Sequence, residues 1–245
     1  MMDKDTIFAD LKTSQVGFYS AIFLTIITII TFGFALTAIP ISGANCPTGC
    51  IGYPYLNTLS QYPKDFIWMY FAVVLILSYV VLMVSIHTYA AKNKKIFSQI
   101  GVSFAIITAA ILLIDYYLQF SVIPISLLNG ETEGIPLFIQ YNPHGIFLAL
   151  EELGYMTMSL SFLFISAVFN KNHLENAVRW VFIIGFLLSI ISFILISLIY
   201  GLDRMDRFEV AIIGIDWLVL LVNGILIGIV FKRQMKANQL STSNF

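Results

Sequence analysis

Charged residues are scarce in this chain of 245 residues, where Asp, Glu, Lys and Arg together make up only 11%. A soluble domain carries about 25% charged residues, so this chain lacks the polar groups that would cover a water-facing surface. Because 59% of its residues are hydrophobic, we predict an integral membrane protein whose first partner is the lipid bilayer. A net charge of −1 supplies no basic field for DNA or RNA, so we expect no nucleic-acid partner.

Long apolar runs fill most of the chain. Six of them have the roughly 20 residues that a helix needs to cross the hydrocarbon core. None alternates with a period of two, as a barrel strand would. We therefore predict an all-α fold, a single polytopic bundle over residues 1–245. The six transmembrane helices are predicted at about 17–41, 67–90, 97–120, 146–169, 178–200 and 208–231.

The basic residues predict how this bundle is oriented. Three of the 13 Lys and Arg residues lie on one side of the predicted membrane, at Lys64, Arg204 and Arg207. The other ten lie in the two tails and in the loops after the second and fourth helices: Lys4, Lys12, Lys92, Lys94, Lys95, Lys171, Arg179, Lys232, Arg233 and Lys236. Because cytoplasmic loops are enriched in Lys and Arg, we expect both termini in the cytoplasm and the loops 42–66 and 121–145 outside.

Four acids fall inside the predicted spans: Asp115, Glu151, Glu152 and Asp216. No Lys or Arg lies in the apolar interior of any span, so we expect these acids to lack a basic partner. Each costs at least ~2.5–3.5 kcal/mol in the bilayer. At a rise of 1.5 Å per residue, Asp115, Glu151 and Asp216 lie roughly 8–13 Å below the outer boundary. We therefore expect these three to form one shelf in the outer half of the membrane.

Other polar residues extend this shelf along the helix faces, because residues three, four or seven apart share a face. His144 and Tyr155 lie on the face of Glu151, Gln119 lies on that of Asp115, and Asn223 on that of Asp216. Glu152 points about 100° away from Glu151 and is free to serve a neighbouring helix. The predicted ligand-binding or proton-relay set is Asp115, Glu151, Glu152, Asp216, His144, Tyr155, Gln119 and Asn223.

Two interpretations of the acids stay open. In one, each carboxyl is protonated and donates to a nearby hydroxyl or backbone carbonyl. In the other, which we favour, the acids line a wet cavity, and Glu151 stays protonated until a cation binds, because like charges cannot all ionise there. The aromatic residues Tyr116, Tyr117, Tyr155 and Trp217 lie beside the acids, where cation–π attraction would assist an amine ligand.

A polar block, Asn142-Pro143-His144-Gly145, precedes the fourth predicted helix. Asn is a good N-cap and Pro suits the first helical position; alternatively, His144 carries a proton or binds a metal above Glu151. The stretch QYNPHGIF followed by EELGY, within residues 110–170, resembles uncharacterised multi-pass membrane proteins of bacteria and archaea. That resemblance implies a prokaryotic cell membrane and supplies no mechanism and no catalytic residue.

No motif in the sequence requires a metal or a cofactor. The glycine-rich phosphate loop, GxSxG and HExxH are all missing. His87 and His173 are predicted on the cytoplasmic side and His144 outside, so they cannot meet in a His-rich zinc site. A carboxylate site for Ca²⁺ or Mg²⁺ stays open.

The two cysteines, Cys46 and Cys50, lie in the first outer loop with C-x3-C spacing. In an oxidising compartment a structural disulfide is the expected state, and a redox role is the alternative.

Three functions follow as hypotheses. The first is an outward-facing acidic cavity that binds a small cationic or amphipathic ligand, with coupling to proton or cation transport. The second is a lipid-modifying enzyme in which Glu151 or Asp115 acts as acid and base. The third is a non-catalytic subunit whose acids pair with basic residues of a partner. A cavity open to lipid favours the enzyme, water access from both sides favours transport, and a filled bundle favours the subunit.

Overall fold

Helices are the regular secondary structure in the part of the chain that the computed structural model describes, the backbone of residues 4–243 and the side chains of 11–240. No strand occurs in that range. The helices are α1 (Lys4–Ala35), α2 (Ile67–Tyr89), α3 (Lys95–Ser121), α4 (Ile123–Leu128), α5 (Ile146–Ser166), α6 (His173–Tyr200) and α7 (Met205–Ser243). Short 3-10 turns occupy Leu56–Gln61, Lys64–Phe66, Lys92–Lys94, Ile135–Leu137 and Gly201–Arg204.

Five stretches within the described residues are long and apolar enough to cross a membrane, which confirms the predicted all-α class of apolar helices. They are Leu11–Ala35, Lys64–Tyr89, Lys92–Leu128, Ile146–Ser166 and His173–Leu240. The last stretch contains two helices, α6 and α7, which pack against each other. The chain reverses between them at Gly201, whose φ of +58° favours glycine.

The six long helices form a ring in the order α1, α2, α3, α5, α6, α7, and α7 returns to α1. Helix α5 also contacts α7 across the ring, and its fully buried side chains include Tyr155, Met158 and Phe162. The loops 36–66, 122–145 and 201–204 lie together at one end, which we call the cysteine-bearing end. The segments 90–94 and 167–172 lie at the opposite end, where Tyr89 donates to Glu175 at 2.6 Å.

Helices α1 and α7 extend furthest beyond the predicted spans. Helix α1 begins at Lys4 rather than at residue 17 and ends at Ala35 rather than at 41, while α7 continues to Ser243. An apolar run marks what crosses lipid, and a helix continues through polar residues where no Pro or Gly interrupts it. At the other end of α1, Pro40 disfavours a helical conformation for the residue before it.

The two larger loops pack on each other over the cysteine-bearing end. Ile123, Ile139 and Tyr141 form a small core with side chains of the first loop, including Ile41, and the Ser42 hydroxyl donates to the Tyr141 carbonyl. The structure joins Cys46 to Cys50 by a disulfide, with Cα atoms 6.0 Å apart. The loops therefore form an ordered cover rather than open connections.

Candidate functional site

A cavity of about 240 Å³ opens at the cysteine-bearing end. The ends of α1, α2, α5 and α7 and the loop after α1 surround it. Three carboxylates line it: Asp65, Asp206 and Glu209. Its aromatic lining consists of Phe32, Trp68, Tyr141, Phe147 and Trp217. No Lys, Arg or His is found among the described residues of this lining, so the wall is negatively charged and aromatic.

Asp65 supplies an unpartnered acceptor to this wall. It lies in the 3-10 turn before α2 and is only 3% exposed. Its Oδ2 accepts a hydrogen bond from the Tyr141 hydroxyl at 3.0 Å, whereas its Oδ1 has no partner among the described side chains. Burial, and then the Asp65 charge, raise the pKa of Tyr141, so the hydroxyl stays protonated and donates. The buried Oδ1 is left for a ligand or water.

Asp206 holds the loop that follows α1 against the start of α7. Its Oδ2 accepts from the backbone N–H of Ala44 at 2.5 Å, and its backbone carbonyl accepts from the Asn45 amide at 3.0 Å. Arg207 lies 3.5 Å from its Oδ1. The charge of Asp206 is therefore partly compensated, unlike that of Asp65.

Glu209 follows Asp206 by about one turn and links the cavity to a second acid behind it. Its carboxyl adjoins that of Glu151. Glu151 is fully buried, with the Tyr116 hydroxyl beside it and Asp115 within electrostatic range. Within the described part of the chain, neither Glu151 oxygen has a hydrogen bond of normal geometry. Three acids therefore interact electrostatically here, and we call them the Glu151 cluster: Asp115, Glu151 and Glu209.

Hydroxyl groups continue inward from this cluster. The hydroxyls of Tyr116 and Tyr155 are 2.9 Å apart, and Trp217 Nε1 donates to the Tyr155 hydroxyl at 3.1 Å. All three side chains are buried. Trp217 also lines the cavity. Hydrogen bonds therefore connect the cavity wall through Tyr155 to Tyr116, whose hydroxyl lies beside Glu151.

Asp216 lies deeper than the Glu151 cluster. Its Oδ1 accepts from the Ser159 hydroxyl at 2.8 Å, and Ser159 also contacts the Ser189 hydroxyl at 2.8 Å. Ser159 follows Glu151 by eight residues on α5, which is roughly 12 Å along the helix. Because α7 begins before the predicted span, Asp216 lies about 16 Å from the start of its helix. The structure thus brings Asp115 and Glu151 together and leaves Asp216 below them.

Glu152 has a basic partner, so the prediction that it would lack one is wrong. Arg204 donates to Glu152 Oε2 at 2.6 Å, and the side chains are 26% and 9% exposed. Arg204 belongs to the turn between α6 and α7, and its long side chain reaches down to α5. A basic residue outside an apolar run can therefore neutralise an acid within one.

His144 does not share the helical face of Glu151 and Tyr155, contrary to the prediction. Helix α5 begins at Ile146, and His144 lies exposed in the preceding turn. Nor is Asn142 the N-cap, a position that Gly145 occupies. The Asn142 side chain accepts from the His144 backbone at 3.0 Å and donates to the Pro136 carbonyl at 2.9 Å. These bonds fix a turn instead of a helix start.

Gln119 and Asn223 lie away from the acids. The Gln119 amide donates to the Phe138 carbonyl, and its oxygen accepts from the Gln140 backbone at 3.1 Å, so it anchors the second loop. Asn223 donates to the Val178 carbonyl at 3.3 Å, in the half of the bundle near the opposite end.

Sequence reasoning missed Glu209 as a site residue, and it also missed Asp65 and Asp206. Both lie at helix ends, where an acid has an ordinary explanation in water. The available signal was their common position, since both precede predicted helices at the same outer boundary. Among the described side chains, no group of three or more His, Cys, Asp or Glu residues is placed to hold a metal ion.

Comparison with known proteins adds no relative to this description. No protein-family model, curated protein or solved structure matches the chain significantly.

Proposed function

We propose that this protein crosses the cell membrane six times, with both termini in the cytoplasm and the cysteine-bearing end outside. Two observations support six crossings. Helices α6 and α7 contain 28 and 39 residues, each more than the roughly 20 that span a bilayer, and a sharp turn at Gly201 separates them. The basic residues in the tails and in two loops support the orientation.

We further propose that the cavity at the cysteine-bearing end binds a small organic cation from outside. The observation that carries this proposal is the lining of Asp65, Glu209, Trp68 and Trp217, with no basic residue among the described lining residues. Carboxylates attract an ammonium group strongly where water is scarce. The faces of tryptophan rings add cation–π attraction.

Binding is coupled to a proton on the Glu151 cluster in this proposal. Three adjacent carboxyls cannot all carry charge in an apolar interior, so they share protons. A cation bound at Glu209 stabilises the ionised form of the carboxyls in the Glu151 cluster. The proton that these carboxyls release leaves through the cavity. Tyr116 and Tyr155 would extend proton movement inward, because their hydroxyls are already in contact.

Calorimetry on the full chain in nanodiscs of neutral lipid tests the binding. Tetramethylammonium is the cationic probe and tert-butanol, of similar shape, is the neutral one. We expect only tetramethylammonium to bind, and Asp65→Asn and Glu209→Gln each to weaken it at least about tenfold, which is ~1.4 kcal/mol. Buffers of different ionisation enthalpy then report the released proton.

Glu131→Gln is the matched control, because Glu131 is an exposed acid at the same end and does not line the cavity. Equal binding of the neutral probe would exclude a cation site. So would an equal loss of affinity in the control, because the effect would then come from general surface charge.

A lipid-modifying enzyme is the second candidate, since acid and base groups at Glu209 and Glu151 adjoin a cavity with an apolar rim. Mass spectrometry of the nanodisc lipids before and after incubation distinguishes the two. A change in lipid mass that Glu151→Gln abolishes would favour the enzyme.

A further inference from the structure

The rim of the cavity is apolar on the side formed by α1 and α7. Leu36 and Ile39, just after α1, are 72% and 53% exposed, and Val210 on α7 is 53% exposed. All three line the cavity. Large apolar side chains at an opening are favourable only where they meet lipid or the apolar part of a ligand.

Open space adjoins the cavity at Gly214 on α7, and we call this space the Gly214 cleft. Gly214 lines the cavity, and a Cβ atom added there would have no neighbouring atom within 4 Å. Elsewhere the same helix is closely packed, since a Cβ at Gly224 would meet Thr25 and the Ala21 carbonyl of α1. The missing side chain therefore leaves open space at Gly214 between the acidic wall and the lipid-facing surface.

We propose that the ligand is a single-chain amphipathic amine, and this rests on the proposed cation site. The ammonium group binds between Asp65 and Glu209. The hydrocarbon chain leaves through the Gly214 cleft, between Val210 and Leu36, into the outer leaflet. A charged, aromatic inner wall and an apolar exit match the two halves of such a molecule.

The charge of the lining selects an amine over a phospholipid. A phospholipid headgroup would bring its phosphate beside Asp65, Asp206 and Glu209, where no basic residue among the described lining would compensate it. Like charges at this separation repel strongly in a medium of low dielectric constant. A long-chain base without phosphate avoids this repulsion.

Two probes that differ in the length of the hydrocarbon chain test whether this chain leaves through the Gly214 cleft. In nanodiscs of neutral lipid, wild-type protein should bind octyltrimethylammonium at least about tenfold more tightly than tetramethylammonium, because burial of each methylene group is favourable. Gly214→Leu fills the cleft and should remove most of this gain, measured as the ratio of the two affinities. Leu36→Asn, at a highly exposed rim position, should reduce the gain without disturbing packing.

Gly33→Leu is the matched control, because Gly33 on α1 also has open space around it and does not line the cavity. It should keep the full gain, which separates the cleft from partitioning of the octyl chain into the bilayer. An undiminished gain in both Gly214→Leu and Leu36→Asn would overturn the exit. So would a Gly214→Leu variant that is folded yet loses both probes. Failure of tetramethylammonium to bind wild-type protein would instead overturn the cation site itself.

Discussion

At the scale of single residues, the buried acids differ in what stabilises them. Glu152 has Arg204, Asp216 has the Ser159 hydroxyl, and Asp65 has the Tyr141 hydroxyl. Among the described side chains, Glu151 has Glu209 and Tyr116 beside it and Asp115 within electrostatic range, and none forms a hydrogen bond of normal geometry with it. An acid without a compensating partner in an apolar interior is a functional candidate by default. Glu151 is therefore the residue whose substitution is most informative.

We expect Glu151→Gln to fold as well as the wild type. The amide has nearly the same shape as the protonated carboxyl and is also neutral, so the melting temperature should stay equal. In the wild type, the infrared difference spectrum on cation binding should contain the band of a protonated carboxyl. In Glu151→Gln that band should be missing. Glu131→Gln should keep that band. A strong fall in melting temperature would show that Glu151 serves packing, and a retained band would place the proton elsewhere.

The pair of Glu152 and Arg204 should stabilise the fold. Because the two side chains are 9% and 26% exposed, solvent screens them only in part, and we expect Glu152→Gln or Arg204→Gln to cost about 1–2 kcal/mol. Reversible unfolding of both single variants and the double variant measures their coupling. Losses that simply add would show that the pair contributes nothing by its contact.

At the scale of helices, α3 and α5 approach closely at Gly101. The Ser161 hydroxyl donates to the Gly101 carbonyl at 2.7 Å. A Cβ atom at position 101 would lie 2.7 Å from Ile165 Cγ1 and 3.2 Å from the Ser161 carbonyl oxygen. We expect Gly101→Leu to push the helices apart at a cost of about 1–3 kcal/mol, seen as a lower melting temperature. Gly33→Leu, which meets open space, should change the melting temperature little; equal losses would exclude a helix-packing cause.

The loop that follows α1 should be held by its disulfide in the cell. Cys46 and Cys50 flank a turn whose neighbours Ala44 and Asn45 bind Asp206 at the cavity. In protein purified without reductant, mass spectrometry of unreduced peptides should show the two cysteines in one bridged peptide. Two freely alkylated thiols would exclude the bridge.

At the scale of the whole molecule, composition and long apolar runs predicted the helical class, because both follow directly from the bilayer as solvent. The site was predicted only in part. Asp115 and Glu151 meet because helical periodicity and depth are readable from sequence. The contacts of Glu209 with Glu151 and of Arg204 with Glu152 depend on how far these side chains extend. The turn at His144 depends on where helix α5 begins. A single sequence does not encode those features in a periodic pattern.

Labelling of introduced cysteines decides the number of spans and their orientation. The bridged native cysteines should not react, and the parent protein measures any background. Leu202, in the turn between α6 and α7, is 94% exposed, so Leu202→Cys should react in intact cells with a maleimide that cannot cross the membrane. Asn93 lies exposed at the opposite end, so Asn93→Cys should react only after the cells are opened.

The contrary outcomes are distinct. If residues 173–240 crossed the membrane as one continuous span, Leu202→Cys would lie within lipid and react under neither condition. If the bundle had the reverse orientation, the two variants would exchange their behaviour, and the cavity would face the cytoplasm. Labelling of position 202 from outside and of position 93 only from inside is the result that six spans with both termini in the cytoplasm require, because α6 must then leave the membrane at that turn and α7 must re-enter it from the same side.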